Sequence, residues 1–168
     1  MNQEGPPVRA EILELGDPRI CAAQIEINAP APTIFDILVQ PRRHCEIDGQ
    51  SSVQALVRGP ERLVLGSKFT MAMRLGVPYR ITNSVLEYVP DQRIAWAHIL
   101  GNRWSYDLTA MSPNQTLVRE TNDLAAAGWR GRLSPVARNP DGMRRAIAKS
   151  LVRLKAMAES TESSQSNS

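Results

Sequence analysis

The stretch PDGMRRAIAKSLVRLKAMAE, Pro140 to Glu159, decides the fold. Apolar residues recur at Met143, Ala146, Ile147, Leu151, Leu154 and Ala158, with Ser150 in the same stripe. That i, i+3, i+4, i+7 spacing is the mark of a helix with one apolar face. Asn139 supplies an N-cap, and Pro140 suits the first helical position. Asp141 lies in the first turn, where the helix dipole favours negative charge, and Lys149, Arg153 and Lys155 lie toward the other end. Such a helix is a rod of about 28–30 Å. It needs a broad apolar partner, and only the strand-like segments from residue 65 to 124 are large enough. The arrangement that follows is a curved sheet gripping one long helix.

The totals set the frame. A chain of 168 residues with 42% hydrophobic content makes one domain with a single core. No apolar run approaches the roughly 18 residues of a membrane span. Residues Met1 to Ala10 have no basic region leading into an apolar one, so no secretory leader is read and a cytoplasmic protein is expected. Cys21 and Cys45 are read as reduced thiols rather than a disulfide framework or zinc cage. Seventeen of the 20 basic residues are arginine, which suggests a GC-rich bacterial genome. The net charge of +3 is matched by the helix alone, whose five basic residues face two acidic ones. No aromatic residue interrupts that basic face, as single-strand stacking would require, so no nucleic-acid partner is expected.

Outward from the helix, Cys21 to Asn28 alternates as a half-buried strand, with Ala23, Ile25 and Ile27 on one face. Ala29 to Pro32 stops it. Thr33 to Val39 reads as a short helix ended by Pro41, and Arg42 to Glu46 as a second short turn. Strands follow at Ser52 to Val57, Ser67 to Arg74, Tyr79 to Tyr88, Arg93 to Ile99, Arg103 to Met111 and Thr116 to Leu124. Turns at Gly76-Val77-Pro78, Pro90-Asp91, Gly101-Asn102 and Pro113-Asn114 make the later strands an antiparallel meander. Ala125 to Arg138 reads as a loop with one helical turn. Residues 1–19 are an N-terminal extension with at most one short strand, Arg9 to Leu15. Residues 20–159 are the domain, and the polar tail 160–168 is expected to be disordered. The class is α+β: about seven antiparallel strands curved around a long C-terminal helix, with two short helices after the first of them. That first strand is expected to pair with the last.

Several local patterns match a known superfamily. They are Ile25-Glu26-Ile27-Asn28-Ala29-Pro30 leading to Ile34-Phe35-Asp36-Ile37-Leu38, then Pro41-Arg42-Arg43-His44 and Leu65-Gly66-Ser67-Lys68-Phe69. Val85-Leu86-Glu87-Tyr88-Val89-Pro90 with Arg93-Ile94-Ala95-Trp96 and Trp104-Ser105-Tyr106-Asp107-Leu108 before Thr116-Leu117-Val118 complete the set. Over residues 21 to 158 the chain resembles the START-like, or SRPBCC, superfamily of helix-grip proteins, which includes the birch-pollen allergen and polyketide cyclase/dehydrase-like proteins. The resemblance implies an apolar cavity between sheet and helix that takes lipids, sterols, polyketides or hormones. A minority of members catalyse cyclisation or dehydration, so the fold does not settle the function.

Alternation assigns the residues facing that cavity. Phe69, Met71 and Met73 point inward from one strand, and Ile81, Asn83 and Val85 from the next. Ile94, Trp96 and His98 follow, then Trp104, Tyr106 and Leu108, and last Val118, Glu120 and Asn122. Phe35 and Leu38 from the first helix, with Ile147, Leu151 and Leu154 from the last, close the wall. The ligand-binding set is thus mostly apolar with a few fixed polar groups, as small-molecule sites usually are. His98 and Glu120 are the catalytic candidates, an imidazole and a buried carboxyl that would act as an acid/base pair. A structural pair, or a contact of Glu120 with Arg103 or Arg119, reads the same residues without chemistry.

No metal site is expected, because His44-Cys45-Glu46 point different ways and two histidines cannot make a three-histidine site. No cofactor is expected either: Gly128-Trp129-Arg130-Gly131 lacks the strand-then-helix setting of a phosphate loop. Trp129, Arg130 and Arg132 read either as a lid meeting an anionic head group or as a surface anchor. The leading functional expectation is binding of a hydrophobic small molecule, lipid-like or polyketide-like. Its rivals are a cyclase or dehydratase using His98 and Glu120, and a regulatory or toxin–antitoxin component docking through the basic helix face. A homodimer is compatible with all three.

Overall fold

The computed structural model describes residues 8–133 and 139–165. Eight strands form one antiparallel sheet: β1 (Glu11–Leu13), β2 (Ile20–Ile27), β3 (Val53–Arg58), β4 (Lys68–Leu75), β5 (Val77–Val89), β6 (Arg93–His98), β7 (Arg103–Ser112) and β8 (Gln115–Asp123). Their spatial order is β1-β2-β8-β7-β6-β5-β4-β3. The expected pairing of the first domain strand with the last is present as β2 against β8, with Ile25 opposite Val118. β1 adds an edge strand from the N-terminal segment. After β2 come helix α1 (Ala31–Leu38), a 3-10 turn (Pro41–Arg43) and the one-turn helix α2 (His44–Ile47). A 3-10 segment, Ala125–Leu133, precedes the long helix α3 (Pro140–Gln165). The fold is an α+β helix grip.

Helix α3 starts as its sequence dictates. The Asn139 Oδ1 accepts a hydrogen bond from the Gly142 amide at 2.9 Å, a side-chain N-cap. Asn139→Ala is expected to cost about 1 kcal/mol, read as a lower urea midpoint at an unchanged m-value. The stripe of Met143, Ala146, Ile147, Ser150, Leu151, Leu154 and Ala158 is buried. It packs on β2, β1 and β8 and on both short helices. Each buried leucine or isoleucine contributes about 1.5–3 kcal/mol through area removed from water.

The helix does not stop at Glu159. It continues to Gln165, which corrects the expectation of a disordered tail from residue 160; residues 166–168 lie outside the described range. Two carboxylates fasten this last part. Glu159 accepts from the Asn28 amide at 2.8 Å, and Glu162 accepts from the Thr33 hydroxyl at 2.5 Å. Ser160, Thr161, Ser163 and Ser164 return their hydroxyls to backbone carbonyls three or four residues back, within the helix itself. The serine-rich composition signalled disorder, and tertiary anchoring overrode it.

The curvature of the sheet has local causes. Register breaks interrupt β3–β4, β5–β6 between Val85 and Glu87, and β7–β8 between Ala110 and Ser112. Such bulges bend a strand and increase its twist. The bulge at Leu86 also switches the faces. Val85 lies opposite Trp96 and Tyr88 opposite Ile94, so both point inward although three residues apart. Glu87 is thereby sent outward, where it pairs with Arg93 and Arg103.

Candidate functional site

The paired registers carry the inward residues across the sheet in rows. Met71 faces Ile81, Phe69 faces Asn83, and Trp96 faces Trp104. Tyr106 faces Glu120, and Leu108 faces Val118. Phe69, Met71, Val85, Ile94, Tyr106, Leu108 and Val118 are buried in the core with Phe35, Leu38, Ile147, Leu151 and Leu154. Met73, Ile81, Trp96, His98 and Trp104 sit on the same inner face but are only half-buried. Each of these five lies nearer the end of the sheet where β4 meets β5 and β6 meets β7. The inner face is therefore closed at one end and accessible at the other.

Glu120 is the chemically distinctive group of this interior. It is 1% exposed. Its Oε1 accepts a hydrogen bond from the Trp104 indole nitrogen at 2.8 Å, and its Oε2 is buried without a partner among the described residues. Burial pushes the carboxyl up to about 8, against the lowering effects of Trp104 and Tyr106, which favour the charged form. At neutral pH Glu120 is therefore mostly an uncharged carboxylic acid, able to donate as well as accept. The Tyr106 hydroxyl is held well above its ordinary value, first by burial and then by Glu120, and stays a phenol. Asn122, two residues along β8, donates from Nδ2 to the Asn102 Oδ1 at 2.8 Å. Its own Oδ1 is buried without a partner among the described residues. Two polar oxygens thus face the interior unsatisfied, a costly arrangement for a packed core.

The structure does not assemble the expected pair of His98 and Glu120. Glu120, Tyr106 and Ile94 are neighbours across β8, β7 and β6, whereas His98 is four residues further along β6. The two side chains are offset by roughly 13 Å along the strands and two strand spacings, about 9–10 Å, across them. His98 instead accepts the Leu100 amide at Nδ1, 3.1 Å away, inside the turn after β6. Burial lowers its affinity for a proton, so the ring is mostly neutral at pH 7. The contacts offered for Glu120 with Arg103 and Arg119 are not made either: Arg103 pairs with Glu87, and Arg119 donates to the Gln24 amide oxygen at 3.2 Å.

A different histidine enters the interior. His44, on α2, is buried with its ring stacked on Trp96 at 5.1 Å and edge-on to Phe69 at 5.7 Å. Its Nε2 lies 2.8 Å from the Leu38 carbonyl, to which it donates in the matching tautomer. Burial holds this imidazole neutral. Trp96 in turn lies 5.8 Å from Tyr106, so aromatic contacts run from His44 to the Glu120 carboxyl. No periodicity marked His44, because α2 is a single turn and carries no readable face.

Other sequence candidates fall elsewhere. Trp129 sits on the 3-10 segment before α3 and is 69% exposed; the side chains of Arg130 and Arg132 lie outside the described residues. The basic face of α3 is largely bound within the chain. Arg144 pairs with Glu14 and Asp141, Arg153 donates to the Asp48 carbonyl, and Lys155 reaches Glu26 and Glu159. A recess of about 540 Å³ lined by Arg58, Gly59, Pro60, Lys68, Thr70 and Thr82 lies on the outer side of the sheet and includes none of the predicted site residues.

No known family model matches the chain. The sequence is 40% identical over 126 residues to the uncharacterized protein Rv0088 of Mycobacterium tuberculosis, covering 74% of this chain and 56% of that protein. The chain therefore spans little more than half the length of the curated relatives it matches. Among solved structures it is similar to protein Ms6760 from Mycobacterium smegmatis (TM-score 0.66, 15% identity, 92% of this chain and 99% of that one). It is also similar to protein NE0264 from Nitrosomonas europaea (TM-score 0.66, 12% identity, 89% and 99%) and to the Aha1 dimer from Colwellia psychrerythraea (TM-score 0.56, 20% identity, 81% and 92%). At these identities the likeness is one of fold, an antiparallel sheet with a C-terminal helix.

Proposed function

We propose that this chain binds a hydrophobic small molecule, lipid-like or polyketide-like, between the inner face of the sheet and α3, in the manner of the START-like superfamily it resembles. The observation that carries the reading is the Glu120 carboxyl, fully buried in an apolar interior with Oε2 unpartnered among the described residues. A buried acid of that kind is costly for stability alone, and a ligand carbonyl or hydroxyl would satisfy it. Asn122 offers an acceptor, its Oδ1, for a ligand hydroxyl. Trp96, Trp104, Ile81 and Met73 supply apolar surface on the accessible half of the inner face. What chemistry the interior has to offer is proton donation from Glu120, in place of base catalysis by a His98–Glu120 pair.

The test uses cis-parinaric acid and dehydroergosterol, polyenes whose absorption overlaps tryptophan emission. Saturable one-to-one quenching of the tryptophans at micromolar probe is the expected result. Met71→Trp fills the interior from β4 and should abolish it, and Glu120→Leu should weaken the oxygen-bearing probes about tenfold through one lost hydrogen bond. Quenching by neither probe, or quenching indifferent to Met71→Trp, overturns the reading.

A further inference from the structure

Three pieces of chain gather at the accessible end of the sheet. β4 and β6 run toward that end and β5 and β7 away from it, so the β4–β5 and β6–β7 turns point the same way. β8 runs there too and hands on to the 3-10 segment Ala125–Leu133. The β6–β7 turn is seated on that segment: a Cβ at Gly101 would come within 2.9 Å of the Ala127 Cα. These pieces expose Leu75, Val77 (71%), Ile99 (91%), Leu100 and Trp129. Large apolar side chains scattered singly need no account, but this many at one end of a molecule mark a contact surface.

The charge at the β4–β5 tip is positive. Residues 74–80 contain Arg74 and Arg80 and no aspartate or glutamate, while the nearby Asp123 is engaged in accepting the Ala125 and Ala126 amides. Arg74 and Arg80 flank the β4–β5 tip and are exposed.

We propose that this end of the molecule docks on the surface of an anionic lipid bilayer, with Val77 and Ile99 entering the interface and Arg74 and Arg80 meeting lipid phosphates. A hairpin tip with an exposed aliphatic residue between two exposed arginines suits a lipid surface, where the apolar chain enters the interface and the guanidiniums meet phosphates. Tryptophan at such a rim sits well at headgroup depth. The contact is peripheral, since no helix among the described residues is long and apolar enough to cross a membrane. The docking is independent of the pocket reading, because the tips do not line the interior.

The experiment is flotation of the intact chain with vesicles of equal phosphatidylglycerol and phosphatidylcholine, against pure phosphatidylcholine, at low and high salt. Binding is expected to the anionic vesicles only and to fall as salt rises. The double variant Arg74→Gln/Arg80→Gln should bind about 25-fold more weakly, at about fivefold per arginine. Val77→Ser/Ile99→Ser should lose at least about tenfold, with circular dichroism unchanged. No binding by the unaltered chain, or binding that both double variants retain, overturns the proposal. So does a concentration-dependent dimer that Val77→Ser/Ile99→Ser abolishes without any vesicle binding. Parinaric acid uptake by these variants should match the unaltered chain, so failure here is distinct from failure of the pocket reading.

Discussion

Glu120→Gln flattens the pH dependence of stability between about pH 5 and 8.5. The carboxyl is held at about 8 in the folded chain, chiefly by burial, against an ordinary value of 4.5. Below the ordinary value both states are protonated and the group contributes nothing to the difference. Between 4.5 and 8 the unfolded chain releases the proton while the folded chain keeps it, so stability falls as pH rises. Above 8 both states are ionised and the loss is complete. At about 1.4 kcal/mol per unit, the whole effect is about 3–5 kcal/mol. His44 acts in the other direction: its buried ring resists protonation, so it lowers stability as pH falls through the ordinary histidine range. Subtracting the variant from the unaltered chain removes that second contribution. Urea denaturation at pH 5 and pH 8.5 measures the difference. Equal pH slopes in the two proteins would mean that Glu120 is not held protonated.

Gly49→Ala is expected to destabilise the chain by at least about 3 kcal/mol. A Cβ at Gly49 would stand 2.0 Å from the Ala146 carbonyl oxygen and 2.7 Å from the Ser150 amide nitrogen, both of them α3 backbone. Neither atom belongs to a flexible side-chain end, so the loop after α2 must move off the helix. That movement also breaks the hydrogen bond from the Gly49 amide to the Ser150 hydroxyl, 2.9 Å long, and disturbs Asp48 beside it. The Asp48 carboxylate accepts the amides of Gln50, Ser52 and Val53 and so builds the entry to β3. A loss of at least about 3 kcal/mol follows from overpacking plus the lost contacts. In a chain of this size that lowers the midpoint by about 6–12 °C in a thermal melt. A melt within about 2 °C of the unaltered chain would show that the loop and α3 are not locked together here.

How much was legible beforehand differs from residue to residue for physical reasons. Period-two alternation placed Phe69, Met71, Trp96, Tyr106 and Glu120 on the inner face, because a strand in a one-sided sheet has no other way to hide them. It stopped being a guide at Leu86, where a single extra residue turned Glu87 out and Tyr88 in. Alternation also says nothing about position along the face. His98 and Glu120 share a side of the sheet, yet hairpin length and register set them far apart.

Determined by the sequence alone were the amphipathic helix with its Asn139 cap, the meander and the apolar inner wall. These rest on interactions between near neighbours or on periods that any window of the chain displays. Tertiary structure alone decided that Trp104 rather than an imidazole meets Glu120, that His44 stacks on Trp96, and that a serine-rich tail is drawn into α3 by Asn28 and Thr33. Each of those joins residues distant in sequence or on elements too short for a period, and their energies depend on burial that exists only once the sheet has closed on the helix.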